Sequence, residues 1–257
     1  MEDVFEYFFS IIQKKNQGKF NEIPLHFFEF YGIITKKQNL KVIKMDLALY
    51  SKLLSQDEAN HDISYDEFMS YATHPINHNK RLELIDGKIV FMAGNANLNH
   101  HRVADEVRDC LKRHLKGSQY EILIDFNLRL VNAKLGECKN CYQPDIMVHC
   151  PEKTKIKGSD NVLRGVPEFI AEVISKSTGD YDYNEKKDIY LKYGVKEIWL
   201  IDLSKNKIIV YTSKDKREYT FYDEIETSVF ADLTIDFSEI IKIVDTSELS
   251  WFVQGFK

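Results

Sequence analysis

The sequence of 257 residues lacks any hydrophobic run that approaches the roughly 20 residues of a membrane-spanning helix. Its first segment, MEDVFEYFFSIIQKK, is acidic, then apolar, then basic, whereas a secretory signal begins with basic residues and ends at small ones. These two features argue against a membrane protein and against a secreted protein. We therefore expect a cytoplasmic protein with no membrane partner.

Cysteine is scarce, and the four cysteines are Cys110, Cys138, Cys141 and Cys150. Disulfides are not expected in a protein without a secretory signal. The spacing of Cys138 and Cys141 also allows a structural zinc site in the loop before the next strand. His149 and Cys150 would point to opposite faces of that strand, so we expect free thiols rather than a zinc site.

The sequence also lacks the excess of positive charge that is typical of nucleic-acid-binding domains, because its formal net charge is −5. This counts only mildly against a nucleic-acid partner, since local patches matter more than the total and carboxylate-rich metal sites are themselves acidic. Hydrophobic residues make up 44% of the chain and charged residues 29%, which is typical of a globular protein with a sizeable core.

Residues 1–60 contain aromatic and apolar segments but no group of residues that indicates chemistry. Apolar side chains recur there at helical spacing, namely Phe5, Phe8, Phe9 and Ile12. We predict that residues 1–60 form an N-terminal extension, a helical and aromatic cap on the core or on another subunit. The main domain is then predicted to comprise residues 61–257.

The order of elements in the main domain predicts an α/β fold with a mixed sheet flanked by helices. Ser64 and Glu67 have the spacing of a helix capping box. In Arg81–Met92, two alternating runs flank Asp86-Gly87, which indicates a β-hairpin. Helices are predicted over Asn97–Lys116 and Tyr183–Tyr193. Strands are predicted over Tyr120–Val131, Asp145–His149, Glu168–Ile174, Glu197–Asp202 and Lys207–Thr212, with a polar loop over Glu152–Gly165.

Two acidic residues accompany neighbouring predicted strands. Asp145 follows Pro144 at a strand start, where it is either a functional acid or a turn aspartate that caps a loop. Glu172 lies inside FIAEVI, a run that is apolar on both sides. A buried carboxylate is costly unless it is paired or bound to metal, so Glu172 is either a metal ligand or part of a structural ion pair.

Lys186 lies on the same predicted helix face as Asp182, Ile189 and Tyr190. Its ammonium group either reaches a polar site or forms an exposed pair with Asp182. Two acids on neighbouring strands and a lysine near the next helix start are typical of a metal site. Mg²⁺ prefers oxygen ligands, polarises a phosphate and activates water, while a lysine stabilises the developing negative charge.

Five blocks of the sequence resemble, in order and spacing, the Uma-two family of proposed restriction endonucleases. The blocks lie between about Asp62 and Tyr211 and read RLELIDGKIVFMAG, NHHRV, QPDIMV, PEFIAEVISKST and DYNEKKDIYLKYGVKEIWLID. That family belongs to the PD-(D/E)xK nuclease superfamily. The resemblance implies a restriction-endonuclease-like fold and a nuclease that uses Mg²⁺ or Mn²⁺. Residues 1–60 fall outside it, and the chain after residue 215 matches it only loosely.

The resemblance also implies roles for individual residues. Asp145 corresponds to the acid of the PD motif, and Glu172 corresponds to the acid of the next strand. Ile174 stands where the usual motif has lysine, and Lys186 corresponds to the lysine displaced onto the helix. Glu83 corresponds to an early glutamate that serves as a metal or water ligand, although an acid on a hairpin is otherwise a surface residue.

Two further site candidates have less defined roles. His100 matches an early histidine of the family at a helix start, and Asp182 shares the helix face of Lys186. In addition, Ser175 and Thr178 match a polar turn after the glutamate strand.

Three functions remain open from the sequence. The first is a Mg²⁺-dependent DNA endonuclease, expected as a homodimer, with Glu83, Asp145 and Glu172 as metal ligands and Lys186 as the assisting lysine. The second is a catalytically weak nuclease-fold module that binds nucleic acid or protein. The third is a self-association protein that uses the aromatic segment within residues 1–60.

Overall fold

The computed structural model describes most of the predicted main domain. It describes residues 62–74, 77, 80–92, 98–157, 161–174, 185–244 and 249. The predicted extension over residues 1–60 lies outside the described residues, and so do Ser175, Thr178 and Asp182. From Ile63 onward the described residues belong to one compact unit, Ile63–Lys257. The division of the chain at residue 60 stays a prediction.

The first described helix, α1 (Tyr65–Ala72), begins with the capping box expected from the sequence. The backbone N–H of Glu67 donates to Ser64 Oγ at 3.3 Å, and the N–H of Ser64 donates to Glu67 Oε2 at 2.9 Å. The pair satisfies two amide groups that a helix start otherwise leaves without partners.

A β-hairpin follows α1, as the Asp86-Gly87 pair predicts. Strands β1 (Arg81–Ile85) and β2 (Lys88–Met92) pair antiparallel. Asp86 and Gly87 have φ angles of 46° and 74°, the positive values that a two-residue type I′ turn requires. All four residues from Leu82 to Ile85 are buried, so the hairpin is covered on both of its faces.

The main sheet is mixed. Among the described residues its strands are β3 (Glu121–Ile124), β6 (Ile146–His149), β9 (Phe169–Val173), β10 (Glu197–Asp202), β11 (Lys207–Thr212) and β12 (Lys216–Tyr219). They lie side by side in the order β12-β11-β10-β9-β6-β3. β9 and β10 are parallel, and the other neighbouring pairs are antiparallel.

Smaller sheets and helices complete the described fold. A second sheet has the order β5-β4-β8-β7. Its strands are β4 (Leu128–Asn132), β5 (Gly136–Glu137), β7 (Lys155–Lys157) and β8 (Val162–Gly165). A terminal hairpin of β13 (Glu224–Glu226) and β14 (Thr234–Asp236) leads into the short helix α4 (Phe237–Ile240). No helix among the described residues is both long and apolar enough to cross a membrane.

Helices cover both faces of the main sheet. α2 (Leu98–His114) buries Val103, Val107 and Leu111 in one core cluster with the side chains that β9 and β10 direct to that face. On the other face, α3 (Lys187–Tyr193) buries Tyr190 in a second cluster. Because β9 lies between these two clusters, its five residues are all buried, as the apolar run around Glu172 predicts.

Two predictions of elements are wrong. The single strand expected over Tyr120–Val131 is divided between two sheets, because the chain turns at Asp125, whose φ angle is 46°. The alternation of apolar residues continues through this turn, so periodicity alone does not reveal it. The loop expected over Glu152–Gly165 contains β7 and β8, and Val162 and Leu163 are fully buried in β8.

We expect Gly165→Ala to destabilise the fold. Gly165 has a φ angle of 145°, and a Cβ atom there would lie 2.7 Å from Thr154 Cγ2 and 3.0 Å from its Cα. Overpacking and backbone strain together are expected to lower the free energy of unfolding by about 2–4 kcal/mol. Urea unfolding at equilibrium measures the loss.

Gly136→Ala is the matched control for that substitution. Gly136 also has a positive φ angle, 76°, but a Cβ atom added there would meet no other atom within 4 Å. Only the backbone strain remains, so the expected loss is about 1 kcal/mol. Equal losses in the two variants would contradict the close approach of Thr154 to Gly165.

Candidate functional site

Neighbouring strands bring the predicted acids to one place. Asp145 directly precedes β6, and Glu172 lies in β9, which pairs with β6. The backbone N–H of Asp145 donates to Glu172 Oε2 at 3.3 Å, so the two residues are in direct contact. The carboxylates of both residues are buried.

The hairpin adds Glu83 to the same place. Leu84 and Cys141 exchange backbone hydrogen bonds of 2.9 Å each, which ties β1 to the segment before Asp145. The backbone N–H of Gln143 then donates to Glu83 Oε1 at 2.8 Å. Because side chains alternate along a strand, Glu83 lies on the opposite face of β1 from Leu82 and Leu84, and this second face is buried as well. The interpretation of Glu83 as a surface acid is therefore wrong.

Three donor groups surround the carboxylate of Asp145. Arg81 Nη1 lies 2.7 Å from its Oδ1, while His100 Nε2 lies 3.2 Å and the Val173 backbone nitrogen 2.7 Å from its Oδ2. Burial alone would raise the pKa of Asp145. The hydrogen bond from His100 and the positive charge of Arg81 outweigh burial and hold this pKa well below its ordinary value. Asp145 is therefore a carboxylate anion.

Glu172 is fixed by a tyrosine of α3. The hydroxyl group of Tyr190 donates to Glu172 Oε1 at 3.0 Å, and both side chains are buried. Burial, followed by the nearby charge of Glu172, raises the pKa of Tyr190 well above its ordinary value. Tyr190 therefore stays a neutral phenol and a hydrogen-bond donor to the carboxylate.

Lys186 enters the site from a π-helical turn that leads into α3. Its side chain is 1% exposed, and its Nζ lies 3.0 Å from Glu83 Oε1 and 3.6 Å from Glu172 Oε1. The exposure expected of Lys186 in a pair with Asp182 is therefore wrong, because its ammonium group is buried beside two acids. Asp182 itself lies outside the described residues.

Arg81 and Asp125 belong to the site, although the sequence analysis missed both. Arg81 Nη1 lies 3.2 Å from Asp125 Oδ1, and Arg81 Nη2 donates to the carbonyl oxygen of Gln143. Burial alone would lower the pKa of Arg81, but Asp145, Glu172 and Asp125 raise it above its ordinary value. A signal for Arg81 was present, since it is two residues before Glu83 and shares its strand face.

The charges of the site suit a divalent cation. Four side chains that bear carboxyl groups, Glu83, Asp125, Asp145 and Glu172, lie around two basic side chains, Arg81 and Lys186. The acidic groups of the site therefore outnumber these basic groups by two. Glu83 Oε2 is also buried and has no hydrogen-bond partner within the part of the chain that the structure describes.

Carboxylate oxygens with excess negative charge are the donors that Mg²⁺ prefers, so the residues fit such an ion chemically. In the described ranges, however, no three side chains of His, Cys, Asp or Glu are grouped as metal ligands. Arg81 and Lys186 lie against the carboxylates instead. Binding of a metal therefore requires that at least one of these basic side chains moves away from the carboxylates.

The cysteines lie apart from this chemistry. None of the four is in a disulfide with another described residue, and Cys138, Cys141 and Cys150 are buried. His149 Nδ1 lies 2.7 Å from Thr154 Oγ1. The described residues hold no grouping of cysteine and histidine that would support the zinc site considered from the sequence.

A family comparison bears on the same part of the chain. The profile of the Uma2 family, described as "Putative restriction endonuclease", matches residues 65–238. This range includes the residues of the site, from Arg81 to Lys186. The match agrees with the resemblance found in the sequence.

Two individual proteins are similar to this chain. An uncharacterized protein of Synechocystis sp., sll1609, is 34% identical over 113 residues, which make up 43% of this chain and 59% of that relative. The crystal structure of a "putative nuclease belonging to DUF820" from Anabaena variabilis matches with a TM-score of 0.58 and 17% identity, covering 70% of this chain and 98% of the other. This second likeness shows the fold, and the α/β fold predicted from the sequence is confirmed.

We expect Lys186→Met to destabilise the protein strongly. The substitution removes the ammonium group and leaves the carboxylates of Glu83 and Glu172 buried without it, which is expected to cost about 3–5 kcal/mol of unfolding free energy. Lys187→Met is the matched control. The ammonium group of Lys187 lies 2.6 Å from the exposed carboxylate of Asp188, and its loss is expected to cost about 1 kcal/mol or less.

A double substitution tests the cause of that loss. When Glu83→Gln is combined with Lys186→Met, the carboxylate of Glu83 is removed together with the ammonium group that pairs with it. The double variant is expected to lose about 1–3 kcal/mol less than the sum of the single losses. Additive losses in urea unfolding would contradict a direct charge interaction between the two side chains.

Proposed function

We propose that this chain, which belongs to the Uma2 family, is a metal-dependent nuclease that hydrolyses phosphodiester bonds of DNA at the site of Asp145, Glu172 and Lys186. The observation that carries the proposal is the burial of Lys186 Nζ at 3.0 Å from Glu83 and 3.6 Å from Glu172. A buried ion pair adds little net stability compared with apolar side chains of similar volume, and perturbed buried charges concentrate at functional sites.

Glu83, Asp145 and Glu172 would hold Mg²⁺ or Mn²⁺. When bound, such an ion polarises the phosphate and lowers the pKa of an attacking water. The three acids are held in defined positions by this chain's own groups: Gln143 N–H binds Glu83, Val173 N–H binds Asp145, and Tyr190 binds Glu172. Such fixed hydrogen bonds reduce the reorganisation that the ligands require.

The ammonium group of Lys186 has two roles in this proposal. It donates to a water molecule near the acids and so orients it, and it stabilises the negative charge that develops on the phosphate oxygens. The strand position that usually bears this lysine is Ile174, which is buried in the core. Lys186 replaces it from the turn that leads into α3, and α3 packs on the same face as Ile174. His100, which contacts Asp145 Oδ2, would position that carboxylate.

The setting of the reaction is also part of the proposal. The preference for DNA, the homodimer and the cytoplasmic location are expectations from the sequence. The aligned segment spans 59% of the length of the Synechocystis relative, so the proposal concerns the nuclease site of this chain alone.

A second function, a nuclease-fold module that binds nucleic acid or protein without cleaving it, has one observation in its favour. Arg81 and Lys186 already pair with the acids, and the described residues contain no ready grouping of metal ligands. A module of this kind would retain the fold and its ion pairs as structural features. Calorimetric titration with Mn²⁺ separates the two functions, because the module is expected to show no binding at this site.

Cleavage assays test the nuclease directly. The wild-type protein is expected to cut plasmid or single-stranded DNA with Mg²⁺ or Mn²⁺ and to lose this activity when the metal is chelated. Asp145→Asn and Lys186→Ala are each expected to lower the rate about 100-fold or more, because each removes a group that acts at the reacting phosphate.

Surface variants of the same residue types serve as controls. Asp109→Asn on α2 and Lys187→Ala on α3 change residues whose ion pairs lie outside the site, so their rates are expected to equal that of the wild type. Cutting that survives in Asp145→Asn would place the activity elsewhere or in a contaminant. No cutting of any DNA substrate, together with no metal binding, would favour the binding module.

A further inference from the structure

We propose that Arg81 is an exchangeable arginine that holds Asp145 before metal binds and holds a phosphate of the substrate afterwards. This inference rests on the proposed function, because it requires a divalent cation at Asp145. Arg81 is not among the residues that the motifs of the sequence single out. Its contacts with Asp145 and Asp125 place it in the site.

The guanidinium group of Arg81 contacts one proposed metal ligand, Asp145, and two further oxygen-bearing groups. Its Nη1 lies 2.7 Å from Asp145 Oδ1 and 3.2 Å from Asp125 Oδ1, and its Nη2 binds the carbonyl oxygen of Gln143. Carboxylate and carbonyl oxygens are also the ligands of a hard divalent cation. The guanidinium group therefore neutralises this group of oxygens as a bound cation would.

Arg81 and a metal ion would compete for one oxygen atom. Asp145 Oδ2 already receives the N–H of Val173 and the ring nitrogen of His100. Oδ1 is the oxygen that Arg81 contacts. Two cations in contact with the same carboxylate oxygen repel each other strongly in a partly buried site. A divalent cation that binds Oδ1 therefore displaces the guanidinium group.

Of the two basic groups in the site, Arg81 is the one that has a route away from it. The side chain of Lys186 is 1% exposed, whereas that of Arg81 is 23% exposed. Its second acidic partner, Asp125, is 54% exposed and lies toward solvent. When Arg81 leaves Asp145, it stays near Asp125 at the mouth of the site.

Arginine is well suited to bind a phosphate group of DNA that enters the site from the solvent side, near Asp125. A guanidinium group presents a planar fork of donors that matches two phosphate oxygens, and it keeps its charge at every accessible pH. Metal binding would thus neutralise the acids and at the same time free a phosphate ligand. The site would then bind DNA well only after it holds a metal ion.

Calorimetric titration of Mn²⁺ into the full-length protein, without DNA, tests the first half of the exchange. Arg81→Ala is expected to bind Mn²⁺ about tenfold more tightly than the wild type or better, because the competing cation is gone. Added guanidinium ion at millimolar concentration is expected to weaken Mn²⁺ binding in Arg81→Ala by reoccupying the vacated position, and to have no such effect in the wild type. Arg217→Ala, on the edge strand β12, is the control and is expected to behave as the wild type.

DNA binding tests the second half. With Ca²⁺ in place of Mg²⁺, Arg81→Ala is expected to bind a DNA duplex about tenfold more weakly than the wild type, although it binds metal more tightly. Opposite effects on the two ligands are not expected from a general loss of structure. Thermal unfolding checks stability, since Arg81→Ala should unfold about 5 °C lower without metal and regain this difference with Mn²⁺. Arg81→Gln, which removes the charge but keeps a hydrogen-bond donor, serves if the alanine variant does not fold.

Each result has a definite meaning. Unchanged or weaker Mn²⁺ binding by Arg81→Ala, or no competition by guanidinium ion, would overturn the exchange while leaving the nuclease proposal intact. Tighter Mn²⁺ binding with unchanged DNA affinity would overturn the phosphate role of Arg81. If neither the wild type nor Arg81→Ala binds Mn²⁺, the metal site of the proposed function fails, and this inference fails with it.

Discussion

Carboxylate groups can share a buried site only when cations lie close to them, and this constraint governs the centre of the molecule. Glu83, Asp145 and Glu172 are all buried: Glu83 and Glu172 lie against the same ammonium group of Lys186, and the backbone N–H of Asp145 donates to Glu172. Their mutual repulsion in a medium of low dielectric constant would oppose folding if no opposite charge were present. Arg81 and Lys186 supply that charge from two different elements. The hairpin, the sheet and α3 must therefore all be in place for any one of these acids to be buried.

The scaffold meets this requirement through strand pairing. The antiparallel pairing of β6 and β9 sets Asp145 beside Glu172, and the backbone pairing of Leu84 with Cys141 sets the hairpin against the same strand end. These positions depend on main-chain hydrogen bonds, so they are little affected by the side chains in the surrounding loops. The chemistry of the site depends instead on the few charged side chains that reach inward, and because they are buried beside one another, a change in one of them affects stability as well as function.

Much of this arrangement can be predicted from the sequence. Asp86-Gly87 predicted the hairpin, and the apolar run around Glu172 predicted a strand buried on both faces. Two residues that define the site were not predicted, for separate reasons. In the sequence Arg81 looks like an ordinary surface residue, because the acids with which it pairs lie far away along the chain. Asp125 turns the chain between two sheets without interrupting the alternation of apolar residues, and only tertiary pairing reveals the turn. Burial of Glu83 depends likewise on contacts that a local pattern does not contain.

The entry of Lys186 from α3, rather than from β9, also affects how the protein forms during synthesis. A chain made from its N-terminus presents Arg81 first, then Glu83, Asp145 and Glu172, and its buried lysine last. Until α3 has left the ribosome, Arg81 is the only one of the two basic partners that can pair with the three acids. Burial of Glu83 and Glu172 without Lys186 is then unfavourable. A nascent chain that ends at β9 therefore keeps this end of the sheet hydrated and open. Closure of the centre is a late event, which occurs when α3 is complete and docks.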